Sequence, residues 1–305
     1  MCEVKTSLAT RIGTLRLTNP VMLASGTFGY GDEITDLVNV GKVGAIITKT
    51  ITLQPCQGNP APRICEVTGG MINAIGLQNI GVDRFIAEKL PALRKLPTKI
   101  IVSIAGHCVE EYVRVVRLLD GARGINAIEL NLSCPNLQKQ IISQDPLLVR
   151  AIVTAVTQES RHPVIAKLSP QVTDIVAMAE TAISAGATAV SLINTFPAMA
   201  IDIATRKPKI SIFTGGMSGP AIKPMAVRAV WEVFRKLHVP IIGGGGIMTS
   251  DDAVEFILAG ACAVTVGTAN FVDPLAPEKI VSGIKLYLEH NNVKRCADIV
   301  GGVCC

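Results

Sequence analysis

No apolar run in this chain of 305 residues reaches ~18 residues without a charge or a turn, so no transmembrane helix is expected. The N-terminus, Met1-Cys2-Glu3-Val4-Lys5, is polar, and no secretory leader is expected. Aromatic residues make up only 4%, and the net charge of +5 contains no basic run. That pattern argues against nucleic acid and weakly for an anionic small molecule. None of the nine cysteines form a C-x-x-C pair, so reduced thiols in a cytoplasm fit best. The histidines (His107, His162, His238, His290) lack metal-ligand spacing, and no Ser/His/Asp set stands out. No metal site is expected. No linker or low-complexity stretch divides residues 1–305, which read as a single domain.

What is present is a large core: 49% of the residues are hydrophobic and 17% charged. Two short alternating runs, 8–12 and 14–17, meet at Gly13 and predict a hairpin. A rhythm of short apolar runs and helical stretches follows. The pattern predicts strands over 21–25, 44–50, 100–105, 127–133, 164–169, 189–194, 240–244 and 263–267. It predicts helices over 33–40, 82–96, 109–119, 147–159, 173–185, 221–237, 251–258 and 277–290. The strands are apolar at consecutive positions, as in a parallel sheet buried on both faces. About eight β-then-α units give a closed (β/α)8 TIM barrel, an α/β fold, with an open doubly wound sheet as the alternative. Two long loops, 51–80 and 195–220, are expected to carry function.

The last residues of the predicted strands are polar or glycine: Ser25, Lys49 and Thr50, Ser103, Asn131, Lys167, Asn194 and Thr195, Gly245 and Gly246, Gly267 and Thr268. A barrel brings all of them to one face, where active sites sit. Cys134 follows the 127–133 strand between two amides, Asn131 and Asn136, and Pro135 ends that strand. A thiol there is a candidate base. The lysines predict cations beside a ligand that carries or gains negative charge. Asn73, Asn131, Asn136 and Asn194 offer the donors and acceptors that read a pyrimidine-like ring. Glycines 243–246 and 267 permit close backbone approach to a phosphate. Glycines 215, 216 and 219 offer a further set of free N–H groups.

Several segments together resemble the dihydroorotate dehydrogenase family: Val21-Met22-Leu23-Ala24-Ser25-Gly26-Thr27-Phe28-Gly29, Gly58-Asn59-Pro60-Ala61-Pro62-Arg63, Asn73-Ala74-Ile75-Gly76-Leu77-Gln78-Asn79, Asn131-Leu132-Ser133-Cys134-Pro135-Asn136, Ala166-Lys167-Leu168-Ser169-Pro170 and residues 215–224. The likeness runs from about residue 12 to residue 271. It implies an FMN-containing barrel that oxidises dihydroorotate to orotate in pyrimidine (UMP) biosynthesis. Cysteine at 134, where other members have serine, implies the soluble class 1. The versions at 25–29 and 73–79 resemble its NAD-linked subgroup, class 1B.

In that subgroup a partner subunit carries FAD and a [2Fe-2S] cluster, and the resemblance implies a homodimer within a heterotetramer. It also implies that Cys134 removes the C5 proton while hydride leaves C6 for the flavin. Substrate contacts would be Lys49, Asn73, Ala74, Ile75, Gly76, Leu77, Asn131, Asn136, Asn194 and Thr195. Flavin contacts would be Ser25, Lys49, Thr50, Ser103, Asn131, Lys167, Ile193, Gly219, Gly245, Gly246, Gly267 and Thr268. Two departures stand out. Ser103 replaces an asparagine beside the flavin, and segment 137–146 lacks the glycine-rich loop that acts as a lid. A fumarate-linked class 1A enzyme, a related dihydropyrimidine dehydrogenase and a non-catalytic barrel remain as alternatives.

Overall fold

The computed structural model describes residues 6–33, 35, 38–133 and 142–304. In chain order the strands are β1 (Thr10–Ile12), β2 (Leu15–Leu17), β3 (Val21–Leu23), β4 (Ala45–Ile47), β5 (Ile64–Val67), β6 (Gly70–Asn73), β7 (Lys99–Ile104) and β8 (Ala127–Asn131). They continue with β9 (Val164–Lys167), β10 (Ala189–Leu192), β11 (Phe196–Ala198), β12 (Ile201–Asp202), β13 (Lys207–Pro208), β14 (Gly215–Ser218), β15 (Ile241–Gly244) and β16 (Ala263–Val266). The α-helices are α1 (Val82–Arg84), α2 (Leu90–Leu93), α3 (Val109–Asp120), α4 (Pro146–Glu159), α5 (Ile175–Ser184), α6 (Lys223–Leu237), α7 (Ser250–Ala259), α8 (Ala269–Val272) and α9 (Ala276–His290).

Strands β3, β4, β7, β8, β9, β10, β15 and β16 close a parallel barrel in that order. Helices α3 to α7 and α9 pack one against the next around it. The consecutive apolar positions explain the two layers, because successive side chains on a strand point to opposite faces. Val21, Leu23, Ile46, Val102, Ile128, Leu130 and Val190 belong to the core under the helices. Their neighbours Met22, Ala45, Ile47, Ile101, Ala127, Ile165, Ala189, Ile242 and Ala263 fill the barrel interior. The hairpin β1–β2 turns at Gly13, whose φ of 55° suits glycine. It adds Ile12, Leu15 and Leu17 to the interior cluster and stoppers the end of the barrel where the strands begin.

Helix starts follow side-chain capping. Asp145 accepts from the N–H groups of Leu147 and Leu148 at 2.9 and 3.2 Å, with Pro146 in the first turn of α4. Asp174 does the same for α5, which therefore begins after residue 174 and not at the expected 173. Thr249 and Asp252 form a capping box on α7.

Several expectations are corrected. Among the described residues no helix spans 33–40. The Glu33 carboxylate accepts from the N–H groups of Tyr30 and Gly31, and Asn39 caps a short 3-10 turn, Val40–Lys42. These side chains satisfy the backbone locally in place of a helix ladder. The helix expected over 82–96 is α1 and α2 joined by a π-helical turn, Phe85–Lys89. Helix α8 has no counterpart in the predicted pattern. The two long loops hold an antiparallel sheet, β11-β14-β6-β5, and a second hairpin, β12–β13. Strands β6 and β14 are short, half-exposed and glycine-bearing, so they lack the alternation that marks a strand, and β12 and β13 are only two residues long. The glycines at 215 and 216 lie in β14, Gly215 paired with β11 and Gly216 with both β11 and β6, and are strand residues and not a loop cradle of N–H groups.

Candidate active site

The alternation that fills the barrel with Ile47, Ile101, Ala127 and Ile165 carries polar residues one step further along the same strands. Lys49 follows β4, Ser103 is two positions beyond Ile101, Glu129 and Asn131 follow Ala127, and Lys167 follows Ile165. Above that layer a cavity of about 680 Å³ opens at the strand ends, within the usual range for small-molecule sites. Strands β6, β11 and β14 of the small sheet form part of its wall.

Most of the residues singled out in the sequence line this one cavity. Ser25, Lys49, Thr50, Asn131, Lys167, Ile193, Gly245, Gly246, Gly267 and Thr268 do so, as do Asn73, Ala74, Ile75, Gly76, Leu77, Asn194 and Thr195. Two stand apart from it. Ser103 is fully buried behind the wall, where its hydroxyl meets that of Thr50 at 2.9 Å. Gly219 packs on Gly70, with a φ of 107° and room for no Cβ. Cys134 and Asn136 lie outside the described residues; the preceding Ser133 lines the cavity. Of the expected lid, 137–141 also lie outside them. Residues Ile142–Gln144 form a 3-10 turn, and the Gln144 amide donates to the carbonyl of the cavity residue Gln171 at 3.0 Å.

Ion pairs among the described residues engage Lys42, Lys89, Lys223, Lys279 and Lys285, and neither Lys49 nor Lys167. Burial pushes the Lys49 ammonium below its ordinary range; Glu33 pulls it back up and Arg63 adds to the depression. Two cations thus face the cavity without a carboxylate partner among the described residues, a costly arrangement unless an anion joins them.

The amides are held in place. Asn131 Oδ1 accepts from the Ser133 N–H and from Asn194 Nδ2, both at 3.3 Å. Tyr112 supports the same residue by donating to its carbonyl at 2.9 Å. The Asn73 amide donates to the Gly216 carbonyl at 3.0 Å. Asn79 is a structural amide: it accepts from Thr52 and Gly81 and donates to Leu77, closing the 73–79 loop. Arg63 braces that loop from outside through Asn59, Gln78 and the Gln57 carbonyl.

Two sets of backbone N–H groups at the cavity are left without acceptors among the described residues. Those of Ile75, Gly76 and Leu77 donate to no acceptor among the described residues, and nor do those of Gly245, Gly246, Gly267 and Thr268. Gly245 and Gly246 have φ of 121° and 85°, and a Cβ at 246 would sit 2.8 Å from the Gly219 carbonyl. Positive φ and this close approach suit glycine alone.

Sequence reasoning missed Thr27, Ser169, Gln171 and Ser218, which also line the cavity. It also missed Glu129, a fully buried carboxyl one layer below the floor. A charged residue inside an otherwise apolar strand was the available signal for Glu129.

Residues 7–288 match the protein family described as dihydroorotate dehydrogenase. Among similar proteins, the chain is 52% identical over 296 residues to one from Endomicrobium trichonymphae, covering 97% of each chain. It is 50% identical over 301 residues to one from Geotalea daltonii, covering 98% of this chain and 99% of the relative. It is also 50% identical over 296 residues to one from Thermodesulfovibrio yellowstonii, covering 96% and 98%. Each of these relatives is named dihydroorotate dehydrogenase B (NAD(+)), catalytic subunit.

Proposed function

The chain belongs to the dihydroorotate dehydrogenase family, and on that footing we propose that it oxidises dihydroorotate to orotate in pyrimidine biosynthesis, with FMN as its cofactor and NAD as the final acceptor. The observation that carries this reading is the convergence on one cavity of two lysines without carboxylate partners, the orienting amides and two sets of undonated N–H groups. Each meets a part of the expected ligands.

The donor set fits FMN. Gly245, Gly246, Gly267 and Thr268 would hold its phosphate, which is dianionic and needs several N–H donors. Ser25, Thr50, Ile193 and Lys167 would border the ring, with Ser103 and Gly219 supporting from behind. A bound flavin supplies the two-electron hydride acceptor.

The protein does the rest. Lys49 and the N–H groups of Ile75, Gly76 and Leu77 bind the substrate carboxylate. Asn73, Asn131, Asn194 and Thr195, with Asn136, hold the ring in one orientation, as a near-attack geometry requires. Cys134, the next residue after cavity-lining Ser133, removes the C5 proton as a thiolate. The unperturbed thiol pKa of ~8.5 leaves a minor but useful thiolate fraction at neutral pH.

The relatives' shared name supports a partner electron-transfer subunit, proposed to carry FAD and a [2Fe-2S] cluster beside a homodimer of this chain. A cytoplasmic site of action is proposed as well. The six cysteines among the described residues are free thiols, and none of the described helices is long and apolar enough to cross a membrane.

The test is anaerobic bleaching of the FMN-reconstituted chain. Dihydroorotate is expected to reduce the flavin and dihydrouracil, which lacks the carboxylate, is not. Equal reduction by both overturns the substrate assignment. Re-oxidation by fumarate without a partner overturns the NAD assignment.

A further inference from the structure

Glu129 lies in the middle of β8, two positions beyond the apolar interior residue Ala127 and two before the cavity amide Asn131. Its side chain is fully buried, and neither carboxyl oxygen completes a hydrogen bond with a described residue. The strands on either side supply what faces it. Ser103 of β7 is paired in register with Glu129, and Lys167 of β9 is paired with Asn131. The Ser103 hydroxyl and the Lys167 ammonium are the groups that act on the carboxyl. Lys49, further round the floor, answers to Glu33 and Arg63 instead.

A row of hydroxyls runs from Ser103, the in-register neighbour of this carboxyl, to the cavity, and each hydroxyl has one hydrogen to give. Ser25 Oγ donates to the Thr48 carbonyl at 2.7 Å, since a carbonyl can only accept. The 3.2 Å contact between Ser25 and Thr50 therefore uses the Thr50 hydrogen. The 2.9 Å contact between Thr50 and Ser103 then uses the Ser103 hydrogen. Ser103 then has no hydrogen left for the Glu129 carboxyl beside it.

We propose that Glu129 is a positioning residue for the charge at the cavity floor: its carboxyl holds a proton, so that the Lys167 ammonium faces the bound ring uncancelled. An ionised carboxylate here would be stripped of water, would lack hydrogen bonds and would neutralise the cation that the site presents. Burial pushes the carboxyl up, outweighing the opposing pull of the Lys167 charge. The protonated form also suits the donor row beside it, which runs from Ser103 through Thr50 and Ser25 to the Thr48 carbonyl and leaves Ser103 no hydrogen for a carboxylate. Ser103 thereby gains a role without touching the ring: its hydrogen is committed to Thr50 and away from the carboxyl. This inference rests on the flavin reading only for what Lys167 faces.

Infrared spectroscopy of the ligand-free protein at neutral pH tests the proton directly. A protonated-carboxyl stretch, sensitive to deuterium, is expected in the parent and absent from Glu129→Gln. Its absence from the parent, or its persistence in Glu129→Gln, overturns the proposal. Thr50→Val cuts the row beyond Ser103 and is expected to move the band; an unmoved band overturns the donor row even if Glu129→Gln does not fold. With FMN bound, the flavin midpoint potential of Glu129→Gln is expected to match the parent at neutral pH. Both fall with pH because flavin reduction takes up a proton, but the parent is expected to fall further than Glu129→Gln as alkali strips the Glu129 proton, whereas Lys167→Met lies below both at neutral pH. A Glu129→Gln potential that departs from the parent at neutral pH overturns the proposal. Failure to take up FMN would instead sink the cofactor assignment and leave the infrared comparison decisive.

Discussion

Asn194 donates to Asn131 Oδ1 at 3.3 Å, joining the ends of β10 and β8 across β9, whose Lys167 lies between them. The Ser133 N–H also donates to Asn131 Oδ1, so that oxygen is spoken for and the Nδ2 group turns toward Thr50, 3.5 Å away. The two amides are therefore fixed before any ligand arrives, and recognition needs little further ordering. Asn194→Ala removes a ligand contact and frees Asn131 together. Loss of a buried hydrogen bond costs ~1–3 kcal/mol, so orotate affinity is expected to fall about tenfold to a hundredfold. Titration of the bound flavin's absorbance with orotate measures it.

Lys49 sets a pH dependence. Its folded pKa lies below its unfolded value, chiefly through burial. Across that alkaline window the folded chain holds fewer protons than the unfolded one, so stability rises with pH there. Orotate affinity moves the other way, because the ammonium is lost. Lys49→Met is expected to weaken orotate binding by roughly tenfold or more and to flatten this alkaline limb. Isothermal titration of both proteins across pH checks it.

Cys134→Ala is expected to retain FMN but to slow flavin reduction by dihydroorotate by orders of magnitude, the range general-base loss commonly costs. Cys134→Ser should keep more activity than alanine, increasingly so at high pH. In the parent, reduction accelerates as pH approaches the thiol's own pKa. Stopped-flow bleaching reads all three, and a pH-independent parent would remove the free thiol as base.

Gly246→Ala asks an L-residue to hold a φ of 85° with its Cβ 2.8 Å from the Gly219 carbonyl. Strain of this kind costs about 1–3 kcal/mol. The loop can relieve it only by moving N–H groups away from the phosphate position. FMN affinity is expected to fall more than riboflavin affinity, since riboflavin has no phosphate. Fluorescence quenching of the two flavins gives the ratio.

Two cysteines away from the cavity predict an alkaline liability. Burial pushes the Cys262 thiol up to about 11 and Cys296 up to about 12, the latter also raised by Cys262. The unfolded thiols ionise first, so the unfolded chain holds fewer protons above ~8.5 and stability falls as pH rises past that point. Urea midpoints at pH 8 and 10 should differ less in a Cys262→Ala/Cys296→Ala double variant than in the parent. Both thiols should resist alkylation while the exposed Cys304 reacts.

The barrel was legible because its strands are buried on both faces, and runs such as Val164 to Ala166 carry that signature without tertiary information. The site was legible for a related reason: polar residues such as Asn131 and Lys167, set at the ends of apolar strands, are costly there unless a ligand satisfies them. The small antiparallel sheet was not legible. Gly70, Gly215 and Gly216 supply no side-chain pattern, and their strand state depends on partners far away in sequence. The 33–40 stretch has helical periodicity, yet Glu33 and Asn39 spend their side chains on local turns. Glu129 was overlooked because one charge in an apolar run looks like noise until its layer in the barrel is known.

The side chains that fill the barrel, with the hairpin's Ile12, Leu15 and Leu17 packed against them, make the molecule a cup and not a pipe. Among the described residues a small molecule reaches and leaves the floor from the strand-end face, so a spent one has to leave before a fresh one can enter. Anything shaped like the product then competes head-on with the starting compound, and slow departure at that single rim throttles the whole cycle.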